Sequence, residues 1–469
     1  MSYSPDQTFE PSIGQIEYIR YLHRENAFSP SFILLEEEME HLNILAWEKT
    51  ITFFVQRHES VRTVFPLIDG NVRQVILPAD ERFRMEVIYE QDYKGSYNEL
   101  RSEVTTKAVE AFSQIGIGPL IKFYLIVKKN GKYGIHTYIH HVLCDEWSSA
   151  IIRRELDQFY HAYDSGTEPV TSPMTFHLRD YCEQQNRHLR NNREKIMQSW
   201  EKRLDGFCNL FDITAFYRQH QLRSGEKNDA DGPTDIKTLH AVLGRFEGAR
   251  YNNIVEGQLL ENLRDAVSLN KWSLTSLIYA SLYIHISAYA GKDNILLVAL
   301  IADRFLPAHQ QVIGCLLGAT YFPRTVPTDA SIDEFVKKVL LDILANSRKL
   351  ILSHEFLELD AVKMQTASDI YINYIRRNEK IRRQLHKTGD HAPTNELSYP
   401  IECVIIEYTD AIVFEWRYNA SLFSKTMFED MIIHHTQVMK YMAANEADTI
   451  RNLKTSLLLK AATTGAGHF

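Results

Sequence analysis

The stretch from Leu120 to Ile139 constrains the fold most, because two β-rich runs flank Asn130-Gly131. Asn-Gly is the dipeptide most favoured in a two-residue type I′ turn, so the sequence predicts a β-hairpin with that turn. The second run alternates with a period of two, which places Ile135, Thr137, Ile139 and His141 on one face and His136, Tyr138 and His140 on the other. If the strand continues through both histidines, their side chains point to opposite faces and cannot share one functional role.

Helical periodicity begins directly after this hairpin. Beyond Asp145 the apolar residues recur at helical spacing, and Ser165-Gly166 is typical of a helix end. The apolar positions are Trp147, Ile151, Leu156, Phe159, Tyr160 and Tyr163. We therefore predict a helix over this stretch and interpret Trp147 as a core side chain.

The residues at the junction, His140, His141 and Asp145, permit two interpretations. Imidazole changes charge near neutral pH and a nearby carboxylate can orient a histidine, so the three side chains can form a proton-handling site. Alternatively, Asp145 caps the N-terminus of the following helix beside two histidines at a strand end. Taken alone, the three residues support both interpretations equally.

The order of strand-like and helical patterns predicts an α/β protein built from two lobes, which suits a chain of 469 residues. We place the N-terminal lobe, which carries the two histidines, at residues 1–180 and a helix with an inter-lobe linker at 181–235. The C-terminal lobe then covers 236–460 and a flexible tail 461–469. A polar stretch without apolar periodicity near 218–235 indicates the linker.

Composition narrows the class of protein. Hydrophobic residues make up 45% and charged residues 24%, as in ordinary globular proteins, and the net charge of -8 argues against a nucleic-acid binder. No run reaches the ~18 apolar residues of a membrane span, and the N-terminus lacks the pattern of a signal peptide. The five cysteines are widely spaced without a zinc pattern and suit a reducing compartment. We expect a cytoplasmic monomer that binds no nucleic acid, membrane or metal ion.

Several familiar catalytic motifs are absent from the sequence: the phosphate-binding loop, the GxSxG elbow, HExxH and the dinucleotide fingerprint. A second adjacent pair, His434-His435, lies in a helical pattern without a carboxylate at matching spacing. We interpret this pair as polar positions on a terminal helix.

A set of segments, taken together, resembles the condensation domains of nonribosomal peptide synthetases. The segment from His140 to Glu146 resembles the family's HHxxxDG motif. Arg57 to Phe65 is similar to the family's RHExLRTxF, and Gly118 to Leu120 matches its GPL. Ile313-Gly314 is similar to the start of IGxFVNT, and Tyr418 to Phe423 is similar to Y(N/D)xxLF. The matches follow the family's order over about residues 12 to 440, so the set is far more specific than HHxxxD alone.

This resemblance implies a fold and an activity. The fold would be two chloramphenicol-acetyltransferase-like lobes in a V shape with a tunnel between them. The activity would be acyl transfer, in which an acceptor amine, or a hydroxyl, attacks an acyl thioester to form an amide or ester in nonribosomal peptide or hybrid polyketide-peptide biosynthesis. Donor and acceptor would arrive on the phosphopantetheine arms of two carrier proteins, and the chain itself would bind no cofactor.

The resemblance also assigns roles to residues. His141, the second histidine of the motif, would be catalytic: it would orient the attacking nitrogen, take its proton or stabilise the tetrahedral intermediate. His140 would be mainly structural. Asp145 would be a structural carboxylate that pairs with an arginine, for which Arg304 and Arg62 are the candidates.

The chain departs from the family's pattern at several positions. Glu146 stands where the family usually has glycine, beside the acceptor route, and Ser148 would lie close by on the same side. We hypothesise that Glu146 helps to select or hold the acceptor; the alternative is a solvent-facing glutamate in a first helical turn. Gly318-Ala319 replaces the Asn-Thr of IGxFVNT, and the early SxAQxRxW pattern survives only as Ser12, Gly14 and Gln15.

Two other functions are compatible with the same residues. One is a stand-alone synthase that uses a free, soluble acceptor, and the start at Met1 favours a free-standing enzyme slightly. The other is a catalytically silent platform that binds carrier proteins. Basic clusters at Arg187 to Lys195 and Arg376 to Lys387 suit an acidic carrier protein, although a solvated helix face is the commoner meaning of such runs.

Overall fold

A computed structural model describes residues 8–24, 32–205, 207, 248–346, 370–377, 379–381, 392–394, 401–420 and 423–464. The chain forms two compact units. Unit 1 contains Met1–Arg193 and Ala302–Gly318, and unit 2 contains Glu194–Ile301 and Ala319–Phe469. Helices and sheets occur in both units, which confirms the predicted α/β class.

The secondary structure of unit 1 surrounds a sheet that carries the two motif histidines. Its strands are β1 (Thr8–Phe9), β2 (Phe32–Met39), β3 (Thr63–Val64), β4 (Leu67–Ile68), β5 (Asn71–Val72), β6 (Gln74–Ile76), β7 (Glu86–Tyr89), β8 (Ile121–Val127) and β9 (Tyr133–His140). Its helices are α1 (Ile13–Arg24), α2 (Ile44–Arg57), α3 (Tyr97–Phe112), α4 (Glu146–Asp164) and the first part of α5 (Leu178–Leu204).

The main sheet of unit 1 has the strand order β2-β9-β8-β7. β9 pairs antiparallel with both neighbours, so it is an interior strand, and β7 pairs parallel with β8. Every residue of β9 from Gly134 to His140 is buried. The end of β9 is therefore held by backbone hydrogen bonds on both edges, which gives the motif that follows it a fixed starting point.

Two hairpins of unit 1, β4-β5 and β8-β9, close with different turns. Asp69 and Gly70 both have positive φ and join β4 to β5, as a type I′ turn requires. At Asn130-Gly131 only the glycine has positive φ, and Gly131 N donates to Lys128 O in a five-residue connection closed by Lys128 N and Lys132 O. The predicted hairpin is confirmed, but its type I′ turn is wrong: a turn of type I shape followed by a left-handed glycine replaces it.

Unit 2 is built around a larger sheet. Its strands are β10 (Gly248–Glu256), β11 (Asn294–Ala302), β12 (Leu317–Thr325), β13 (Ile370–Arg376), β14 (Ala392–Thr394), β15 (Ile401–Glu407) and β16 (Ala411–Asn419). Its helices are α6 (Gly257–Asn270), α7 (Leu274–Ala290), α8 (Ile332–Asn346), α9 (Lys425–Ala444) and α10 (Ile450–Thr464). The strand order is β12-β11-β13-β15-β16-β10-β14.

Helix α7 lies in the centre of the unit 2 core. Its residues Leu277, Ile278, Leu282 and Ile284 are fully buried, and both α8 and α9 pack against the helix. A helix that is apolar on all sides is stable only when neighbours cover every face. Ser273 caps the helix in a capping box with Ser276, which satisfies the amides that the buried start would otherwise leave unpaired.

The segment Ala302–Gly318 belongs to unit 1, although it follows β11 and precedes most of β12 in the chain. The sequence-based division placed it in the C-terminal lobe, at 236–460. The physical reason for the difference is a buried ion pair, because Arg304 in this segment binds Asp145 of unit 1. The predicted linker region around 218–235 and the end of the tail, 465–469, lie outside the described residues. No helix in the described part of the chain is long and apolar enough to cross a membrane.

Candidate active site

The two motif histidines occupy different backbone environments. β9 ends at His140, and His141 begins a short 3-10 turn, His141–Leu143. The expectation of opposite faces assumed that the strand continues through His141, and the structure shows that it does not. The two side chains are nevertheless unequal, because His140 is fully buried whereas His141 is only half-buried.

His140 is part of the core of unit 1. Its ring packs against Phe112 and Tyr18 with ring centres 5.7 and 5.6 Å apart, and its Nδ1 accepts a hydrogen bond from Val142 N at 3.0 Å. Burial, together with the nearby His141, lowers the pKa of His140 to about 3. His140 is therefore neutral at physiological pH and holds the turn that contains His141.

His141 presents one nitrogen to its surroundings. Its Nδ1 is buried without a hydrogen-bond partner, which leaves Nε2 as the ring nitrogen available to a neighbouring group. The ring of Tyr18 lies beside it, with ring centres 5.5 Å apart. The arrangement differs from a Ser-His-Asp triad, since no carboxylate binds Nδ1.

Asp145 caps helix α4 and is fully engaged by structural partners. Its Oδ1 accepts from Ser148 N at 2.8 Å, as an N-cap does, and its Oδ2 accepts from Leu316 N at 3.1 Å. Arg304 Nη2 donates to both oxygens, at 2.8 and 2.9 Å. Of the two interpretations that the sequence allowed, the geometry supports the helix cap, because no oxygen of Asp145 is left to orient a histidine.

Arg304 and Ser148 complete a buried polar network around Asp145. The guanidinium also donates to the carbonyl oxygens of His309 and Val312, at 2.9 and 2.7 Å. Ser148 Oγ accepts from Arg304 Nη2 and Gly314 N and donates to Gly314 O. The predicted acceptor-side residue Ser148 therefore has its hydroxyl committed to this network, where it fixes the start of α4 to the segment Ala302–Gly318.

The other candidate partner of Asp145, Arg62, lies elsewhere in unit 1. Its guanidinium donates to the carbonyl oxygens of Val55 and Leu77. The structure thus brings Arg304, and not Arg62, to Asp145. The reason is that Arg62 follows the end of α2, where carbonyls of α2 and of the chain after β6 face it.

The segment that contains Arg62 contacts the site helix at a different point. His58 Nε2 lies 2.7 Å from Glu155 Oε2, and Arg57 Nε lies 3.3 Å from the same oxygen. Burial is the main cause that lowers the pKa of His58. Since Glu155 is in α4, this pair holds the helix in its middle while Asp145 holds its start.

The side-chain amides of Gln15 and Gln74 support the turn His141–Leu143, called the histidine turn below. This buried pair was not predicted from the sequence. Gln15 Nε2 donates to Val142 O at 3.3 Å, and Gln74 Nε2 donates to Gln15 Oε1 at 2.9 Å and to Cys182 Sγ at 3.1 Å. Burial raises the pKa of the Cys182 thiol to about 12, so it is a neutral packing group. The retained Ser12 and Gln15 of the early motif were the signal: Ser12 N donates to Gln15 Oε1.

Comparison with known proteins identifies the family. The model of the family described as "Condensation domain" matches residues 22–461. The chain belongs to the condensation domain family. The predicted resemblance is thereby confirmed. Condensation domains of peptide synthetases are acyltransferases that form peptide bonds from substrates carried on phosphopantetheine.

The similar proteins are much longer than this chain. Gramicidin S synthase 2 of Brevibacillus brevis is 20% identical over 431 residues, which cover 89% of this chain and 9% of that protein. Malpibaldin synthetase of Mortierella alpina is 22% identical over 428 residues, 88% of this chain and 7% of that protein. The chain thus corresponds to a small part of these relatives.

Solved structures share the fold at low sequence identity. The condensation domain from the Monacolin K polyketide synthase MokA has a TM-score of 0.71 at 12% identity, with 94% of this chain and 99% of that chain covered. The X-domain in its complex with OxyB from teicoplanin biosynthesis has a TM-score of 0.69 at 16% identity, with 97% of each chain covered. Both likenesses support the condensation domain fold.

Two residues at the start of α4 lie directly beside the condensation motif. Glu146, at the position of the motif's usual glycine, is the first residue of α4 and is half-buried. The interpretation of Trp147 as a core residue is wrong: it is 48% exposed, and its Nε1 donates to Gln310 O at 3.0 Å. Its ring lies 5.9 Å from the guanidinium carbon of Arg304, so it covers the outer side of the ion pair.

The second histidine pair is buried, so its interpretation as polar positions on a terminal helix is wrong. His435 Nε2 lies 2.9 Å from Ser281 Oγ, and His434 Nδ1 lies 2.8 Å from His285 Nδ1. Burial lowers the pKa of His435 to about 3. The sequence held a signal for this, because His435 falls on the apolar face of α9. That face contains Phe428, Met431, Ile432, Val438, Met439 and Met442.

No cluster of three or more His, Cys, Asp or Glu side chains suited to a metal ion occurs among the described residues. The four cysteines within the described ranges, Cys144, Cys182, Cys315 and Cys403, are buried free thiols. Their positions suit packing roles.

Proposed function

We propose that this chain catalyses amide formation, in which an acceptor amine attacks an acyl thioester held on a carrier protein. A C–N bond forms, the C–S bond breaks, the thiol of the phosphopantetheine arm is released and one proton leaves the nitrogen. The observation that carries the proposal is the accessible imidazole of His141 on a turn anchored by His140, in a chain that belongs to the condensation domain family.

His141 is the catalytic residue of this proposal. With Nδ1 enclosed, its Nε2 receives the hydrogen bond of the attacking nitrogen and so fixes the direction of attack. His140, Asp145 and Arg304 do not touch the substrate. They hold the histidine turn and the start of α4, and Ser148 joins them through its hydroxyl. Arg62 has a separate structural role at the end of α2.

Donor and acceptor carrier proteins are the proposed partners. Positive charge along α5 supports long-range attraction of an acidic carrier, although its arginines are partly compensated: Arg187 pairs with Glu183 and Arg190 with Glu10. In the second basic cluster Arg376 lies 3.6 Å from Glu407, and residues 378 and 382–387 are outside the described part of the chain.

Glu146 is proposed to select or hold the acceptor. The support is its place beside the motif and the half-buried position of its side chain at the start of α4. Replacement Glu146→Gly restores the family's usual residue and should change the ratio of transfer rates between a cationic and a neutral acceptor, whereas Glu146→Gln separates charge from size. Competition between the two acceptors, read by mass spectrometry, measures this ratio. Unchanged preference and rate in Glu146→Gly contradict the proposal.

A free, soluble acceptor is the second candidate within enzymes. It is supported by the similarity to the SgcC5 protein of Streptomyces globisporus, with a TM-score of 0.63 at 17% identity, whose structure is a complex with an aromatic diol. In that case the acceptor of this chain is a small amine or alcohol, and the product of an alcohol is an ester.

A platform without catalysis is the candidate from another class of protein. Its support is the similarity to the X-domain, which was solved as a complex with OxyB. On this alternative the histidine turn is retained for the fold, and a protein surface recruits a partner enzyme.

Intact-mass spectrometry of loaded carriers separates the three candidates. Acyl-loaded donor carriers are incubated with aminoacyl-loaded acceptor carriers, or with free amines and alcohols, and with wild type, His141→Ala or His161→Ala. His161 is an exposed histidine on the same helix, α4, and serves as the matched control. Transfer to a carrier-bound acceptor that is lost only in His141→Ala supports the first candidate. Transfer only to free acceptors supports the second, and carrier binding without transfer in wild type supports the third.

A further inference from the structure

Tyr18 of helix α1 contacts both motif histidines. Its ring meets His140 edge-on, at 88° and 5.6 Å between ring centres, and meets His141 at 36° and 5.5 Å. Contacts of this distance are within the range of favourable aromatic packing. Tyr18 thus lies against the structural histidine with one edge and against the proposed catalytic histidine with part of its face.

The His141 ring has no hydrogen bond at Nδ1 to fix its rotation. That nitrogen is buried and without a partner, whereas histidines in catalytic sites are commonly oriented by a hydrogen bond at the second nitrogen. Among the described residues, the ring of Tyr18 is the aromatic contact of His141. Packing on one side therefore takes the place that a carboxylate has in a triad.

Helix α1 is itself tied to the histidine turn. Gln15, one turn before Tyr18, donates from Nε2 to Val142 O, and its Oε1 accepts from Ser12 N and from Gln74 Nε2. At Gly14 a Cβ atom would lie 2.0 Å from Leu317 O, so the helix passes against the backbone of the Ala302–Gly318 segment. These contacts make α1 a fixed support, and Tyr18 projects from it.

We propose that Tyr18 is a positioning residue that sets the orientation of the His141 imidazole through ring contact. The proposal rests on the proposed role of His141 in acyl transfer. It concerns the aromatic ring of Tyr18, so phenylalanine should serve in its place. Near-attack geometry is sensitive to shifts of this kind, since a misplacement of about 1 Å can cost roughly 100-fold in rate.

The test compares Tyr18→Phe with Tyr18→Leu in the full chain. Single-turnover acyl transfer between loaded carriers gives the rate, and varied acceptor concentration separates kcat from KM. We expect Tyr18→Phe to retain the wild-type rate and Tyr18→Leu to lower kcat by about 10- to 100-fold with KM unchanged. Tyr163→Leu is the matched control, because Tyr163 is a half-buried tyrosine of the same unit that packs against Phe53.

Three results overturn the proposal. They are a wild-type rate in Tyr18→Leu, an equal loss in the phenylalanine and leucine variants, and a loss in Tyr18→Leu that matches Tyr163→Leu and follows thermal stability alone. Each shows that the ring contact does not orient His141.

A second readout keeps this proposal separate from the proposed function. In protein labelled at the histidine rings, the His141 ring resonances are assigned by their disappearance in His141→Gln. The orientation of the ring is read from nuclear Overhauser contacts between the His141 ring protons and residues other than Tyr18, because loss of an aromatic neighbour alone moves the chemical shifts. These contacts should change in Tyr18→Leu and stay as in wild type in Tyr18→Phe, even if the wild type transfers no acyl group. Contacts that are identical in all three proteins contradict the positioning role.

Discussion

The chain contains two adjacent histidine pairs, and a comparison of their surroundings shows what makes a histidine available for chemistry. His140-His141 lies where an interior strand of unit 1 ends, so one ring is buried and the next is half-buried. His434-His435 lies in helix α9 of unit 2, where both rings are buried. The residue types are identical, and only the first pair contains a half-buried ring, that of His141, on which the proposed catalytic role rests.

Two of the three buried histidines in these pairs, one from each pair, behave alike. His140 and His435 both have a pKa lowered to about 3, and burial is the main cause for each. Each also has one hydrogen-bonding neighbour in its own unit, Val142 N for His140 and Ser281 Oγ for His435. His141 is therefore the exception among these residues, and its availability depends on the anchors that surround it.

Removal of the Asp145 carboxylate should have the largest effect on stability. Asp145→Ala leaves the buried guanidinium of Arg304 without its partner, which costs on the order of 3–5 kcal/mol, and also removes the N-cap of α4. The double variant Asp145→Ala, Arg304→Met should recover part of the loss because no charge remains buried. Denaturant unfolding followed by circular dichroism measures both. A loss below about 1 kcal/mol in the single variant contradicts the structural role.

Replacement of His435, in the second histidine pair, by alanine should have the next largest effect on stability. His435→Ala opens space in the core of unit 2 and leaves Ser281 without its partner, so we expect a loss of about 2–4 kcal/mol. Acyl transfer by the folded protein should remain unchanged. His161→Ala, at an exposed site, is the control and should stay within about 0.5 kcal/mol. An unchanged stability in His435→Ala would mean that the second pair is not packed as described.

The stability of the protein should also depend on pH, and His140 and His435 should contribute to this dependence equally. An unfolded histidine has a pKa of about 6.5, and each folded value is about 3, so between these values the unfolded state binds the proton and the folded state does not. Stability is therefore complete above about pH 6.5 and falls as the pH decreases, by up to about 1.4 kcal/mol per pH unit for each histidine.

Unfolding curves at a series of pH values from about 7 to about 5 measure this slope. In His435→Gln the free energy of unfolding should change less steeply with pH, because the contribution of one histidine is removed. The pH dependence that remains includes the contribution of His140. A slope that does not change in this variant contradicts the buried, neutral state of His435.

Local patterns in the sequence predicted the elements around the candidate site. Periodicity predicted the helix that ends at Ser165-Gly166, because its apolar positions lie close together in the chain. The hairpin around Asn130-Gly131 was likewise predicted from its turn residues and from the β-rich runs on both sides. Helix caps and short-range spacing act over a few residues, so the sequence shows them directly.

Contacts between distant residues were much harder to predict. The segment Ala302–Gly318 joins unit 1 through Arg304, whose partner Asp145 is 159 residues away, and no local pattern indicates such a pair. Arg304 became a candidate through the family resemblance, and the sequence could not choose it over Arg62. Trp147 fitted the apolar spacing of α4 but lies at its exposed start, where a hydrogen bond to Gln310 O holds it.

Of the four paired histidines, we expect His141 alone to act on the substrate. The direct measurement is the single-turnover rate of acyl transfer between loaded carriers for His141→Ala and His435→Ala, each under conditions in which circular dichroism shows it folded. We predict that His141→Ala loses about 100- to 10,000-fold in rate, as expected for a positioned acid–base group, while His435→Ala retains the wild-type rate. Equal rates for His141→Ala and wild type, or an equal loss in both variants, would contradict this role of His141.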